Sequence, residues 1–166
     1  MEKTNEKILP SDVFITTIDA GELKWRADEG GVIKNRPSGN EFMDKLVELL
    51  SVYHMSKVVF YEKAMNLSTR SLNEMTVRYS GMRFMEWRNQ YVLLCAKELL
   101  IETNYSLDKI GKRLGFSCIN SFSKWFARSE NENTKDWRYY AKMRHKKREE
   151  EQFLEWKTEK HKKGEL

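Results

Sequence analysis

Arg70, Asn73 and Glu74 stand within one short stretch of the chain, and Asn120, Ser123 and Lys124 form a second set some fifty residues later. Side chains of these types suit the edges of base pairs. Arginine and lysine donate to guanine O6 and N7, asparagine pairs with adenine, glutamate accepts from cytosine N4, and serine serves either way. The outward face of any soluble helix also carries such residues, so residue type alone leaves both readings open. Position adds weight to the first, because each set lies in the first two turns after a candidate chain reversal.

Those reversals are Met65-Asn66-Leu67-Ser68 and Leu114-Gly115-Phe116-Ser117, at equivalent places 49 residues apart. Each has a short helical pattern before it and an amphipathic one after it. Each offers Asn or Gly for a left-handed residue, with an apolar residue next, which is what a helix-turn-helix needs. At 100° per residue, Leu72, Met75, Thr76 and Tyr79 share one side of the helix after the first turn. Arg70, Asn73, Glu74 and Val77 share the other. After the second turn, Cys118, Phe122, Trp125 and Phe126 group inward and Asn120, Ser123, Lys124 and Ala127 outward, with Ile119 at the edge of the buried side. Ile119 can touch a thymine methyl or pack inward. Candidate phosphate contacts are Ser68, Arg78, Ser117, Arg128, Lys146 and Lys147. The last two belong to a basic run, Lys142 to Arg148, which suits either phosphates or a solvated helix end.

Between the turns, periodicity predicts one long helix from about Arg83 to Glu102, with Phe84, Trp87, Tyr91, Leu94, Cys95, Glu98 and Leu99 near one stripe. Twenty residues span about 30 Å, close to the roughly 34 Å of one duplex turn. Such a spacer could set two reading helices in successive major grooves. The remaining helices are expected from Asn40 to about Leu50, Lys57 to Met65, Ser106 to Leu114, and Thr134 to at least Lys147. The residues after Arg148 either extend the last helix or fray. Val13-Phe14-Ile15 and Leu23-Lys24-Trp25-Arg26 look like short strands about a turn at Ala20-Gly21-Glu22. Gly30-Gly31 and Pro37-Ser38-Gly39 then interrupt the chain. Residues 1–40 are too few for a core of their own. They read as an arm, a docking segment or the remnant of a lost domain, dispensable for affinity toward DNA.

Charge is uneven along the 166 residues. Residues 1–56 hold seven Lys/Arg against ten Asp/Glu, residues 57–148 nineteen against nine, and residues 149–166 four against six. A basic middle between mildly acidic ends suits a polyanion-binding domain, and equally a solvated charged surface. No apolar run is long enough for a membrane span, and the polar start argues against a secretory signal; a cytoplasmic, nucleoid-associated protein is expected. Cys95 and Cys118 read as reduced core thiols. His54, His145 and His161 are scattered without catalytic or ligand partners, and no phosphate loop, nucleophile elbow or zinc pattern occurs. Neither an enzyme nor a cofactor is therefore expected.

The stretch from about Val58 to Tyr140 resembles the DNA-binding domain of AraC/XylS-type bacterial regulators. The resemblance rests on Phe60 to Ser68, Glu86-Trp87 with Ala96-Lys97-Glu98-Leu99-Leu100, Ile110 to Phe116, and Ser121 to Phe126. The Phe60-Tyr61 and Glu86-Trp87 variants are similar to regulators of Bacteroides-type bacteria. The resemblance implies base contacts at Arg70, Asn73, Glu74, Ile119, Asn120 and Lys124. Glu62 departs from it, standing where the family has a small residue between its two helices, and so do Ser129-Glu130-Asn131 and Asn133-Thr134-Lys135 near the end. The expected fold is all-α: two helix-turn-helix subdomains on a long linker helix over residues 41–148. An irregular or β-hairpin arm precedes it at 1–40 and a charged tail follows at 149–166. The expected partner is double-stranded DNA, bound by a monomer, with RNA polymerase as a further candidate. The rival is an adaptor or antagonist that keeps the fold without reading DNA, favoured by Glu62, Glu74 and the acidic ends.

Overall fold

The computed structural model describes residues 6–15 and 34–165. Within these, α1 (Pro10–Val13) leads into β1 (Phe14–Ile15), which pairs antiparallel with β2 (Lys34–Asn35). Then follow α2 (Glu41–Tyr53), α3 (Val58–Met65), α4 (Thr69–Ser80), α5 (Phe84–Glu102), α6 (Leu107–Arg113), α7 (Ile119–Glu130) and α8 (Thr134–Lys162). The protein is all-α, as expected. The strand read at Leu23–Arg26, with its turn, lies outside the described residues. No helix among those described is long and apolar enough to cross a membrane.

Local chemistry sets the helix starts. The Asn40 side chain accepts from the Met43 amide at 2.9 Å, and Ser68 and Ser106 accept from Ser71 and Lys109, each at 3.1 Å. Asn133 does the same for Lys135 at 2.9 Å. Each of these bonds satisfies an amide that the helix itself leaves free. Gly81 ends α4 and Asn131 ends α7 with left-handed backbone, which stops a helix at little steric cost for such residues.

Burial on α5 is broader than the single stripe read from its sequence. Trp87, Tyr91, Cys95 and Leu99 are buried, and so are Val92, Ala96, Leu100 and Ile101. A helix buried on several sides has partners on several sides. Here α1, α2 and α4 pack on it, and α6 and α8 pack on it too.

Residues 8–14 dock on the helical body. Val13 and Phe14 are fully buried, and Phe14 meets Tyr91 edge to face at 5.6 Å between centroids. The Trp87 indole donates to the Ile8 carbonyl at 2.9 Å, and the Ile8 amide donates to the Tyr79 carbonyl at 2.9 Å. Residues 8–14 therefore pack on the helical body and close the core over α4 and α5. Alternation could not reveal this, because the partners lie some seventy residues away. Removing the ring in Phe14→Ala should cost about 3 kcal/mol or more, as for a buried Phe truncation. Urea unfolding followed by circular dichroism would register this as a lower midpoint with an unchanged slope.

Candidate nucleic-acid interface

The two turns share one backbone frame. Leu67 N donates to Glu62 O and Phe116 N donates to Gly111 O, both at 2.9 Å. Asn66 N donates to Lys63 O at 3.3 Å, and Gly115 N to Lys112 O at 3.0 Å. Asn66 (φ 54°) and Gly115 (φ 88°) hold the left-handed conformation that this reversal demands. The repeat of 49 residues is thus a repeat of hydrogen bonds.

Past the turns the units diverge by one residue. Ser68 caps α4, whereas the cap position of α7 falls on Cys118, one place after Ser117. Cys118 was expected in the core. It is exposed, because it precedes the helical periodicity that would have turned it inward. Its Sγ lies 3.2 Å from the Ser121 hydroxyl, and that hydrogen bond draws its pKa below the usual thiol value. Cys95 is buried as read, and burial pushes its thiol up to about 12.

Gly111 lets α6 and α7 touch. A Cβ there would stand 2.9 Å from Phe122 Cβ, so only glycine fits without movement. The equivalent residue of the first unit is Glu62. Its carboxylate accepts the Thr69 hydroxyl at the start of α4, so a polar bond stands where the second unit has close contact.

The predicted reading residues fall into distinct settings. Arg70 and Glu74 are exposed on α4 but paired with each other, Nε to Oε1 at 2.8 Å. Asn73 is half-buried, and its side-chain oxygen accepts from the Phe84 amide at 3.1 Å, tying α4 to the start of α5. On α7, Asn120 and Lys124 are exposed and Ile119 is 39 % exposed. Ser123 is half-buried, its carbonyl accepting the Thr134 hydroxyl at 3.0 Å. Ser68, Arg78, Ser117 and Arg128 are exposed around the two helices. Lys146 and Lys147 are exposed on α8, about 18 Å or more along it from its start.

Three polar devices escape a sequence reading, because each joins residues far apart in the chain. Arg138 of α8 donates to the carbonyls of Leu100 (3.0 Å), Tyr105 (2.5 Å) and Thr103 (2.5 Å). Lys142 adds bonds to Thr103 O (2.8 Å) and Asn104 Oδ1 (2.7 Å). Together they satisfy the carbonyls at the end of α5, where positive charge is favoured. Lys142, part of the basic run, therefore serves the core. Arg88 of α5, buried, donates to Ser56 O at 2.8 Å. Next to it Met55 N donates to Leu114 O at 3.0 Å, and the Tyr61 hydroxyl to His54 O at 2.6 Å. The loop after α2 thus touches the linker helix, the first unit and the turn of the second.

A helix-turn-helix domain model matches residues 61–139, the span of both turns and the linker. Residues 61–139 form a helix-turn-helix domain. Solved structures agree in fold. The C-terminal domain of the response regulator yesN from Fusobacterium nucleatum is 22 % identical, with a TM-score of 0.54 over 61 % of this chain and 99 % of that one. The DNA-binding domain of AdpA, a global transcriptional factor crystallised with a target DNA, is 19 % identical, with a TM-score of 0.55 over 61 % and 93 %. An AraC-type regulator from Chromobacterium violaceum is 20 % identical, with a TM-score of 0.51 over 60 % and 89 %. Among curated proteins, none matches the sequence significantly.

In this domain Gly111→Ala must separate α6 from α7. It should lower stability by about 1–3 kcal/mol, the usual range for overpacking. Glu62→Ala, which only removes a bond at the surface, should cost less in the same chemical unfolding experiment. His54 supplies a pH dependence. It is buried at the end of α2 with φ 41°, and its Nδ1 has no hydrogen-bond partner among the described residues. Burial above all, with the nearby Arg113 charge, lowers its pKa below the ordinary 6.5. The unfolded chain then binds the proton more readily. The neutral imidazole's contribution to stability is full above about pH 6.5 and falls as pH drops toward the lowered value. Urea midpoints between pH 8 and pH 5 should show this decline, and His54→Gly, which adopts φ 41° and ψ −112° freely, should flatten it.

Proposed function

We propose that this protein is a sequence-specific DNA-binding transcription regulator whose α4 and α7 enter successive major grooves of one duplex. The observation that carries the reading is the repeated turn frame, which presents two helices from one shared core at the ends of α5. Nineteen residues of α5 span about 28 Å, near one turn of DNA. The known fold of a domain crystallised with its target DNA supports the same reading. One chain holds both units, so a single copy suffices for a site.

Within this reading the second unit is the principal reader. Asn120 and Lys124 are exposed and free of the mutual pairing that ties Arg70 to Glu74. Ile119 lies beside them with enough exposure for a thymine methyl. Arg70 and Glu74 read once their pair opens on the duplex, and Ser123 contributes from the rim. Asn73 positions α4 against α5 through Phe84. Ser68, Ser117, Arg78 and Arg128 meet phosphates and set the register without selecting sequence.

Sites selected from a random duplex pool supply the test. Asn120→Ala should weaken the selected site by about 1–3 kcal/mol and relax preference at one base pair. Asn73→Ala should lower stability and affinity while leaving the preferred sequence unchanged. Full sequence discrimination in Asn120→Ala, with discrimination lost in Asn73→Ala, would reverse the assignment of the two units. A wild-type chain that holds no duplex even at low salt would be an adaptor instead.

A further inference from the structure

Helix α8 carries a face that the core does not use. It packs on the rest through its first half, where Thr134, Trp137 and Ala141 are buried and Arg138, Lys142 and His145 reach the end of α5. From Lys146 to Lys162 every residue but Gln152, Trp156 and Lys160 is exposed. On the side opposite the core, Tyr140, Met143, Lys147, Glu150, Leu154 and Lys157 recur at alternating spacings of three and four, the spacing of a coiled-coil seam, with three of the positions apolar or aromatic and three charged. Met143 is 52 % exposed and Leu154 61 %.

We propose that this seam pairs with the same seam of a second copy, antiparallel, about a two-fold axis between Arg148 and Glu149. The occupant follows from charge order. Antiparallel pairing sets Lys147 against Glu150 of the second copy, Met143 against its Leu154, and Tyr140 against its Lys157, with the ammonium group over the ring. Arg144 and Glu151 face each other along the flank. A parallel pair in register would instead oppose Lys147 to Lys147 and Glu150 to Glu150, so the charges select the antiparallel form. Shape agrees. The body covers only the first half of each α8, which leaves the second half open to the other helix. Two apolar layers and a charged centre make a small interface of the transient class. Two copies held on neighbouring DNA sites gain from their high effective concentration. Each copy still reads its own grooves, and Lys147, first read as a phosphate contact, belongs to the seam.

Sedimentation equilibrium of the full chain, from micromolar to millimolar concentration without DNA, tests the pairing apart from DNA reading. The wild type should pass from monomer to dimer as concentration rises. Lys147→Glu, at an exposed position, should keep its helical signal and remain monomeric. The double variant Lys147→Glu/Glu150→Lys restores complementarity and should dimerise again. A wild type that stays monomeric throughout overturns the proposal. So does a Lys147→Glu chain that dimerises as before, a double variant that fails to recover, or a Lys147→Glu effect confined to the salt slope of DNA binding.

Discussion

Burial of α5 from several sides is the constraint on which the rest of the molecule depends. Its flanks belong to two different helix-turn-helix units, so neither unit has a complete core without it. The distance and rotation between α4 and α7 then become properties of one packed body. The ends of the linker are held as firmly as its sides. Asn73 satisfies the Phe84 amide at its start, and Arg138 with Lys142 satisfies the carbonyls at its finish. Loop residues 54–56 add a strap between units, through Met55 to Leu114 and Arg88 to Ser56. A buried arginine is costly unless hydrogen-bonded; Arg88 is buried and Arg138 half-buried, and the carbonyls they meet are those that unify the domain.

Asymmetry between the two units follows from a single position in the repeat. Gly111 allows α7 to seat Phe122 directly on α6, and the apolar cluster of Phe116, Phe122, Trp125 and Phe126 forms beneath the reading face. Glu62 cannot pack in that way and instead bonds to Thr69 at the rim. On the outer surface of the first unit Arg70 and Glu74 pair with each other. An exposed pair of this kind contributes little to stability, so a duplex can open it at small cost. The outcome is one unit in close contact at its turn beside one joined there by a polar bond, both packed on α5.

Features set by neighbouring residues were legible in the sequence. The left-handed Asn66 and Gly115 and the length of α5 follow from local backbone rules. What was not legible depends on partners far along the chain. Asn73 has the outward phase of a base reader, yet Phe84 takes its oxygen. Lys142 has the composition of a phosphate contact, yet Thr103 and Asn104 hold it. Phe14 lay in a segment that could be an arm, a docking segment or a remnant, and its partner Tyr91 lies far along the chain. Cys118 was misplaced for a local reason, since helical phase says nothing of a residue one step before the helix begins.

Rigid spacing between two readers is the central claim, and operator spacing measures it directly. Contact blocks for α7 and α4 would be mapped on a selected site by footprinting, and five or ten base pairs inserted between them. A rigid α5 predicts that either insertion lowers affinity to that of an isolated half-site, since ten pairs restore the face of the helix but not the distance. Retained affinity with the ten-pair insertion, or indifference to both, would show that the units move independently and would contradict the account.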